Sequence, residues 1–304
     1  MKDERFARVL VIGAAGQLGG ELMRALVKFR PAGPFRAELD IGDAGSVATA
    51  MKRYRPTLVI NTAAFHKVEA CETEAPTAFA INAVAIDNLA AACAHVGAVL
   101  AHVSTDYVFD GTKGAPYDEV DATLPLSVYG ASKLAGEHLM RRHGERYFIF
   151  RTSGLFGRTG ISTKGPTFVE RMLQMAERGE TPKVVDDIVF SPSYVPHVVT
   201  TMCAVMASDH FGLYHVTNSG RCSWYELAVE ALRQNGNSIE VVATHSHSDS
   251  GARRPAYSAL AHGALLRNGF EDLPPWQEAV GAYLRERRAP KDASARASRS
   301  VTHD

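Results

Sequence analysis

The sequence predicts an α/β fold: a Rossmann-type doubly wound parallel sheet with a smaller α/β C-terminal lobe. Three observations predict it. Short β-branched runs alternate with Ala- and Leu-rich stretches at helical spacing through the first half. A glycine pattern, Gly13-x-x-Gly16-x-x-Gly19, stands where the first such run gives way to the first helical stretch. The 304 residues are 46% hydrophobic and 22% charged, the composition of an ordinary globular protein, and the length suits roughly two domains of about 150 residues each.

Taken in order, the strand-like runs are residues 8–12, 58–61, 99–103 and 147–150, and the helical stretches between them are 17–27, 76–95 and 128–142. Strands alternating with helices imply right-handed crossovers and parallel pairing. Residues 1–155 therefore form the first domain, to which later segments are free to return, and residues 156–286 form mainly a second lobe. That lobe holds a helix over 168–178, the loop Ser191-Pro192-Ser193, a strand over 213–217 and a helix over 223–234. Ser223 and Glu226 have the spacing of a capping box at the start of that last helix. Residues 287–304 lack apolar periodicity and read as a disordered tail.

The 33 basic and 33 acidic residues balance, which disfavours a nucleic-acid binder or an anionic-membrane binder, since either recruits its polyanion with a basic excess. Six of the basic and three of the acidic residues fall in 285–304, leaving 27 and 30 in the body. No stretch reaches the roughly 20 uninterrupted apolar residues of a membrane span, so a soluble, cytoplasmic protein is expected. Cys71, Cys93, Cys203 and Cys222 are widely spaced with no metal-ligand pattern and read as reduced structural thiols.

In the glycine pattern, the first glycine permits a tight turn, the second lets a pyrophosphate approach the backbone and the third allows close helix packing. The site is thus a dinucleotide cradle, and its spacing resembles the extended short-chain dehydrogenase/reductase superfamily. By that resemblance Gly13, Gly16, Gln17, Leu18 and Gly19 hold the cofactor, together with Asp40 and Ile41 as the adenine-contacting pair and Ala63, Ala64 and Phe65 as a second lining loop. Residues 29–35 have no β-branched run where the second strand belongs. Arg36 falls near where an arginine meets the 2′-phosphate of NADPH, which favours NADPH over NADH; its plainer reading is a solvated loop arginine.

Tyr129 and Lys133 lie four residues apart on one helix face. An ammonium near a phenol favours the phenolate, which is expected to lower the Tyr129 pKa and suit it to act as general acid to a carbonyl oxygen. Thr105 stands at the carboxyl end of the third run, where open α/β sheets bind ligands, and completes a Thr-Tyr-Lys catalytic set.

The string Ser104-Thr-Asp-Tyr-Val-Phe-Asp-Gly111 and the string Tyr129-Gly-x-Ser-Lys-Leu-x-Gly-Glu137 resemble the dTDP-4-dehydrorhamnose reductase family. So do Glu69-x-x-Glu72, Arg151-Thr-Ser153, Ser191-Pro-Ser-Tyr194 and Arg254-Pro-x-x-Ser258, and the likeness runs from about residue 8 to about residue 285. The resemblance implies reduction of the 4-keto group of a nucleotide-linked 6-deoxysugar by NADPH or NADH. It implies Tyr129 as proton donor, Lys133 as its modulator and a cofactor ligand, Thr105 as carbonyl partner, Asp106 as sugar contact, Arg254 as a partner of the substrate diphosphate, and Asn82 as a brace for the active-site helix. Some members carry Mg2+ at a dimer contact, which leaves a homodimer open. The adjacent Asp186 and Asp187 read more simply as a solvated turn, so no metal ligand is assigned.

Two local features narrow the reaction. Related dehydratases carry an Asp-Glu pair after the active-site Thr, whereas Asp106 is followed by Tyr107, which disfavours elimination. Family members commonly carry Trp after Arg-Thr-Ser, whereas this chain has Gly154, from which an enlarged pocket lacking an aromatic wall is expected. Two alternatives stay open: a non-catalytic subunit resembling the β subunit of methionine adenosyltransferase, and a related ketoreductase or epimerase.

Overall fold

The computed structural model describes residues 2–158, 165–246 and 251–289. Its centre is a parallel sheet whose strands stand in the order β1 (Val9–Ile12), β2 (Leu58–Asn61), β3 (Val99–Thr105), β4 (Tyr147–Thr152) and β5 (Gly212–His215). The register runs straight across, with Val11 opposite Ile60, Ile60 opposite Ala101, Ala101 opposite Phe148 and Phe148 opposite Gly212. Outside β1 the missing second strand shrinks to one parallel bridge between Leu10 and Ala32, with Ala32 N–H donating to Val9 O at 2.8 Å. Pro31 and Pro34 flank that bridge and have no N–H with which to extend a ladder.

Successive strand residues point to opposite faces, so the sheet is covered twice. On one side Val9, Val11, Leu58, Ile60, Phe148 and Phe150 pack with α1 (Gln17–Ala25) and with a helix from later in the chain. On the other side Leu10, Ile12, Val59, Leu100 and Ile149 pack against α2 (Ala44–Tyr54) and α3 (Ala85–Val96). Asp43 caps α2 by accepting a hydrogen bond from Gly45 N–H at 2.8 Å. Helix α4 (Val128–Arg141) lies beside α3 and presents the active-site face.

The lobe has its own core, made by α5 (Phe168–Glu177), α7 (Trp224–Asn235) and α8 (Trp276–Arg288) around Phe156, Phe190 and Tyr194. The capping box forms, with Glu226 N–H donating to Ser223 Oγ at 3.0 Å and Ser223 N–H to the Glu226 carboxylate at 2.7 Å. Between these lobe segments the chain revisits the sheet: α6 (Val195–Met206) supplies the later helix of the first face, and β5 extends β4.

One expectation needs correction, and one helix needs an account. The tail does not begin at 287, because α8 runs to Arg288 and Arg287 pairs with Glu170 and Glu177, each at 2.8 Å; residues 290–304 lie outside the described residues. The continuous helical run 75–96 has the length and apolar composition of a membrane span, with a mean hydropathy of 1.4. It carries Asn82 and Asp87 and buries Ile86, Leu89 and Cys93 in the core, so it is accounted for as a core helix.

All four cysteines are free, and burial pushes the Cys93 thiol up to about 12 and Cys203 up to about 11.

Candidate active site

A cleft of about 840 Å³ opens at the carboxyl ends of β1 to β4 and runs from the glycine loop to the lobe. Gly13 turns with φ of +81°, and a Cβ there would sit 2.6 Å from Thr62 Oγ1, while a Cβ on Gly19 would overlap the Gly13 carbonyl. Only glycines let α1 seat this close to β1 and β2. Gly16 is the N-cap of α1 and offers no side-chain cap, so the helix presents its first-turn N–H groups, and the positive end of its dipole, toward the cleft. Gln17 lines the same end, and its side-chain amide nitrogen is buried with no hydrogen-bond partner. An orphaned donor beside an uncapped helix start suits the diphosphate of a nicotinamide dinucleotide.

At the middle of the cleft three groups converge. Thr105, the last residue of β3, brings its hydroxyl close enough to Tyr129 to pull the phenol pKa down. Lys133 is 2% exposed, and its Nζ donates to Val103 O at 2.7 Å and lies 3.0 Å from His102 Nε2. The other ring nitrogen of His102 is 3.1 Å from the Asn61 side-chain amide. Burial, and then the Lys133 charge, hold the His102 pKa well below its ordinary value, so the ring is neutral.

The expected lowering of the Tyr129 pKa is not what this site produces. Loss of hydration pushes the phenol pKa up, the Thr105 hydroxyl opposes it only in part, and Lys133 makes no resolved contribution. The ammonium is engaged by His102 and Val103 instead. Desolvation brings Lys133 itself down to about 8, against the pull of Glu137.

Asp106 sits one residue past Thr105 and is 4% exposed. Its carboxylate accepts from Ser258 Oγ at 2.6 Å, Ser153 Oγ at 2.8 Å and Thr105 Oγ1 at 3.2 Å. Burial raises its pKa to about 6, and the three hydroxyls hold it from going further.

Behind the site a buried ion pair joins α4 to β4. Arg151 donates to Glu137 from Nε at 2.9 Å and Nη2 at 2.7 Å, and Ser104 Oγ donates to the same carboxylate at 2.5 Å. Asn82 lies in a π-helical turn, accepts from Phe65 N–H at 2.8 Å and donates to Ser132 Oγ at 3.0 Å, tying the second loop to α4.

The remaining sequence-predicted residues are scattered. Leu18 and Ala64 line the cleft; Ala63 N–H donates to Asn61 Oδ1 at 3.2 Å. Ile41 is buried in the core beneath α2. Arg36 lies outside the cleft lining, 81% exposed at its side chain and paired with Asp40 at 3.2 Å. Arg254 is held by Glu69 rather than standing free. Asp187 is spent on Ser246, and Asp186 lies 3.3 Å from His245 on the lobe surface.

The enlarged pocket expected from Gly154 does not arise. Gly154 has φ of +49°, and a Cβ there would sit 2.6 Å from Phe190 Cδ2, because the Phe190 ring fills that space. Phe190 and Trp224, like His102, were not legible as site residues: the first two are distant from 154 along the chain, and a single histidine inside a strand reads first as core.

A family model described as the RmlD substrate binding domain matches residues 7–289. The spore coat polysaccharide biosynthesis protein SpsK of Bacillus subtilis is 37% identical over 94% of this chain and 99% of its own length. The dTDP-4-dehydrorhamnose reductase of Burkholderia thailandensis is 35% identical, covering 92% and 98%. Among solved structures, the dTDP-4-dehydrorhamnose reductase of Bacillus anthracis in complex with NADP superposes with a TM-score of 0.87 at 35% identity, covering 92% of this chain and 98% of that one.

Proposed function

This chain belongs to the RmlD substrate binding domain family, and from that premise we propose that it reduces the 4-keto group of dTDP-4-dehydro-L-rhamnose to give dTDP-L-rhamnose, using NADPH. The observation that carries the reading is the convergence of Thr105, Tyr129 and Lys133 in one cleft with an uncapped helix start.

Bound NADPH supplies the hydride that reaches C4. Tyr129 keeps its proton in the resting site, as its raised pKa requires, and gives it to the C4 oxygen as that oxygen gains charge. The nascent phenolate is stabilised by the Thr105 hydroxyl, while Lys133, which a pKa of about 8 leaves mostly charged at neutral pH, is held behind it by His102 and Val103. Carbonyl, hydride and proton together give the C4 hydroxyl. Asp106, with its hydroxyl ring of Ser153, Ser258 and Thr105, is placed to accept from a sugar hydroxyl.

The choice of NADPH is supported by Arg36. A Cβ on Gly33 would sit 2.7 Å from the Ala14 Cβ, so Gly33 lies against the glycine loop, and Arg36 follows three residues on with an exposed guanidinium paired with Asp40.

The test is direct: purified protein mixed with dTDP-4-dehydro-L-rhamnose and NADPH loses nicotinamide absorbance and yields dTDP-L-rhamnose. Cofactor binding without any loss of absorbance overturns the enzyme reading in favour of a non-catalytic binding module.

A further inference from the structure

We propose that Trp224, backed by the buried Phe190 ring that fills the space beside Gly154, is the wall against which the sugar of the nucleotide-sugar substrate packs; this rests on the proposed function and deepens it. The two rings stack with centroids 4.0 Å apart at 24°, and Trp224 meets Phe168 edge-on at 4.7 Å. Both rings border the cleft, with Leu155 and Ile188 beside them.

The pair is close to the reacting centre by connectivity. Phe190 packs on Gly154, the residue after Ser153, and Ser153 Oγ donates to Asp106, the residue after Thr105. An aromatic surface that near the proton donor meets the reacting ring of the substrate before it meets the nucleotide base.

The wall is also rigid. The antiparallel strands Val189–Phe190 and Cys222–Ser223 pair Phe190 with Cys222 and Val189 with Ser223. The capping box then fixes Trp224 as the first residue of α7. A Trp224 ring held from behind by Phe190 and at its edge by Phe168 meets the substrate at little entropic loss on binding.

The chemistry of the two ends differs. The anion-suited groups, the α1 start and the Gln17 amide, stand at the glycine loop, whereas Leu155, Ile188, Phe190 and Trp224 make an apolar surface. A pyranose with a C6 methyl presents a C–H face that matches it, and aromatic faces favour such contacts.

Trp224 reports on its own site. The chain has two tryptophans, so Trp276→Phe leaves Trp224 as the single emitter. Titration of that variant with dTDP-L-rhamnose is expected to change Trp224 emission, and titration with dTDP is not. Phe190→Ala and Phe190→Leu, each made in the single-tryptophan background, are expected to weaken dTDP-L-rhamnose by about tenfold while leaving dTDP and NADPH affinities unchanged. Unchanged NADPH affinity certifies the fold. Equal weakening of dTDP and dTDP-L-rhamnose would place the wall at the base and overturn the proposal; so would unchanged affinity for both. A Phe190-intact protein that binds neither nucleotide overturns the proposed function itself, a result separable from the other two.

Discussion

Lys133 places a charge where the protein has removed its water, and that arrangement has a measurable consequence for stability. The side chain is 2% exposed, and its pKa falls from 10.5 to about 8, with desolvation as the main cause. Between those two values the unfolded chain binds a proton that the folded chain has released. Stability therefore rises with pH through the window from about 8 to 10.5, is fully present above it, and is lost as pH falls through about 8. At 1.36 kcal/mol per pKa unit the shift corresponds to about 3 kcal/mol. The perturbation is Lys133→Met, which also orphans Val103 O and a ring nitrogen of His102. Those losses do not titrate across this range, so they offset the two curves without changing their difference in slope. The assay is urea unfolding of both proteins from pH 7 to pH 11. The parent is expected to gain about 3 kcal/mol relative to Lys133→Met across the window. A gap that stays flat to within 1 kcal/mol would refute a desolvated ammonium at Lys133.

Three further outcomes follow from neighbouring contacts. Arg151→Met leaves the fully buried Glu137 carboxylate with Ser104 as its close partner and with Arg141 at 3.7 Å, and should cost about 3–5 kcal/mol, read as a lower urea midpoint. Gly154→Ala adds a Cβ at positive φ and against Phe190, and should cost about 2–4 kcal/mol, of which Phe190→Ala in the same chain recovers part, as a double-mutant cycle would show. Arg36→Ala should weaken NADPH by about tenfold or more with little change for NADH, and equal effects on both cofactors would remove the 2′-phosphate role.

Much of this was legible in the sequence because local spacing carried it. The five strands of the sheet are short apolar runs bounded by turns, and four of them fall in the first half, where alternation with helices is regular. Gly13, Gly16 and Gly19, and Tyr129 and Lys133, announce themselves by intervals that a strand-to-helix turn and a helix face impose. Helix α6 escaped because Val195 to Met206 is apolar nearly all round and begins with a proline at its first turn, so it has neither periodicity nor a polar cap to mark it. The site's electrostatics also escaped. Spacing puts an ammonium near a phenol, but whether attraction or lost hydration governs the phenol depends on burial, and on His102 and Val103 competing for Lys133. The wall escaped for a third reason: Phe190 reaches Gly154 through tertiary packing that no local pattern records.

The central claim is that Tyr129 delivers the proton while the rest of the cleft binds. It is tested most directly by comparing Tyr129→Phe with the parent for NADPH affinity and for turnover of dTDP-4-dehydro-L-rhamnose. Loss of at least about a hundredfold in kcat with NADPH affinity unchanged is the expected result. Turnover within a few fold of the parent would contradict the account.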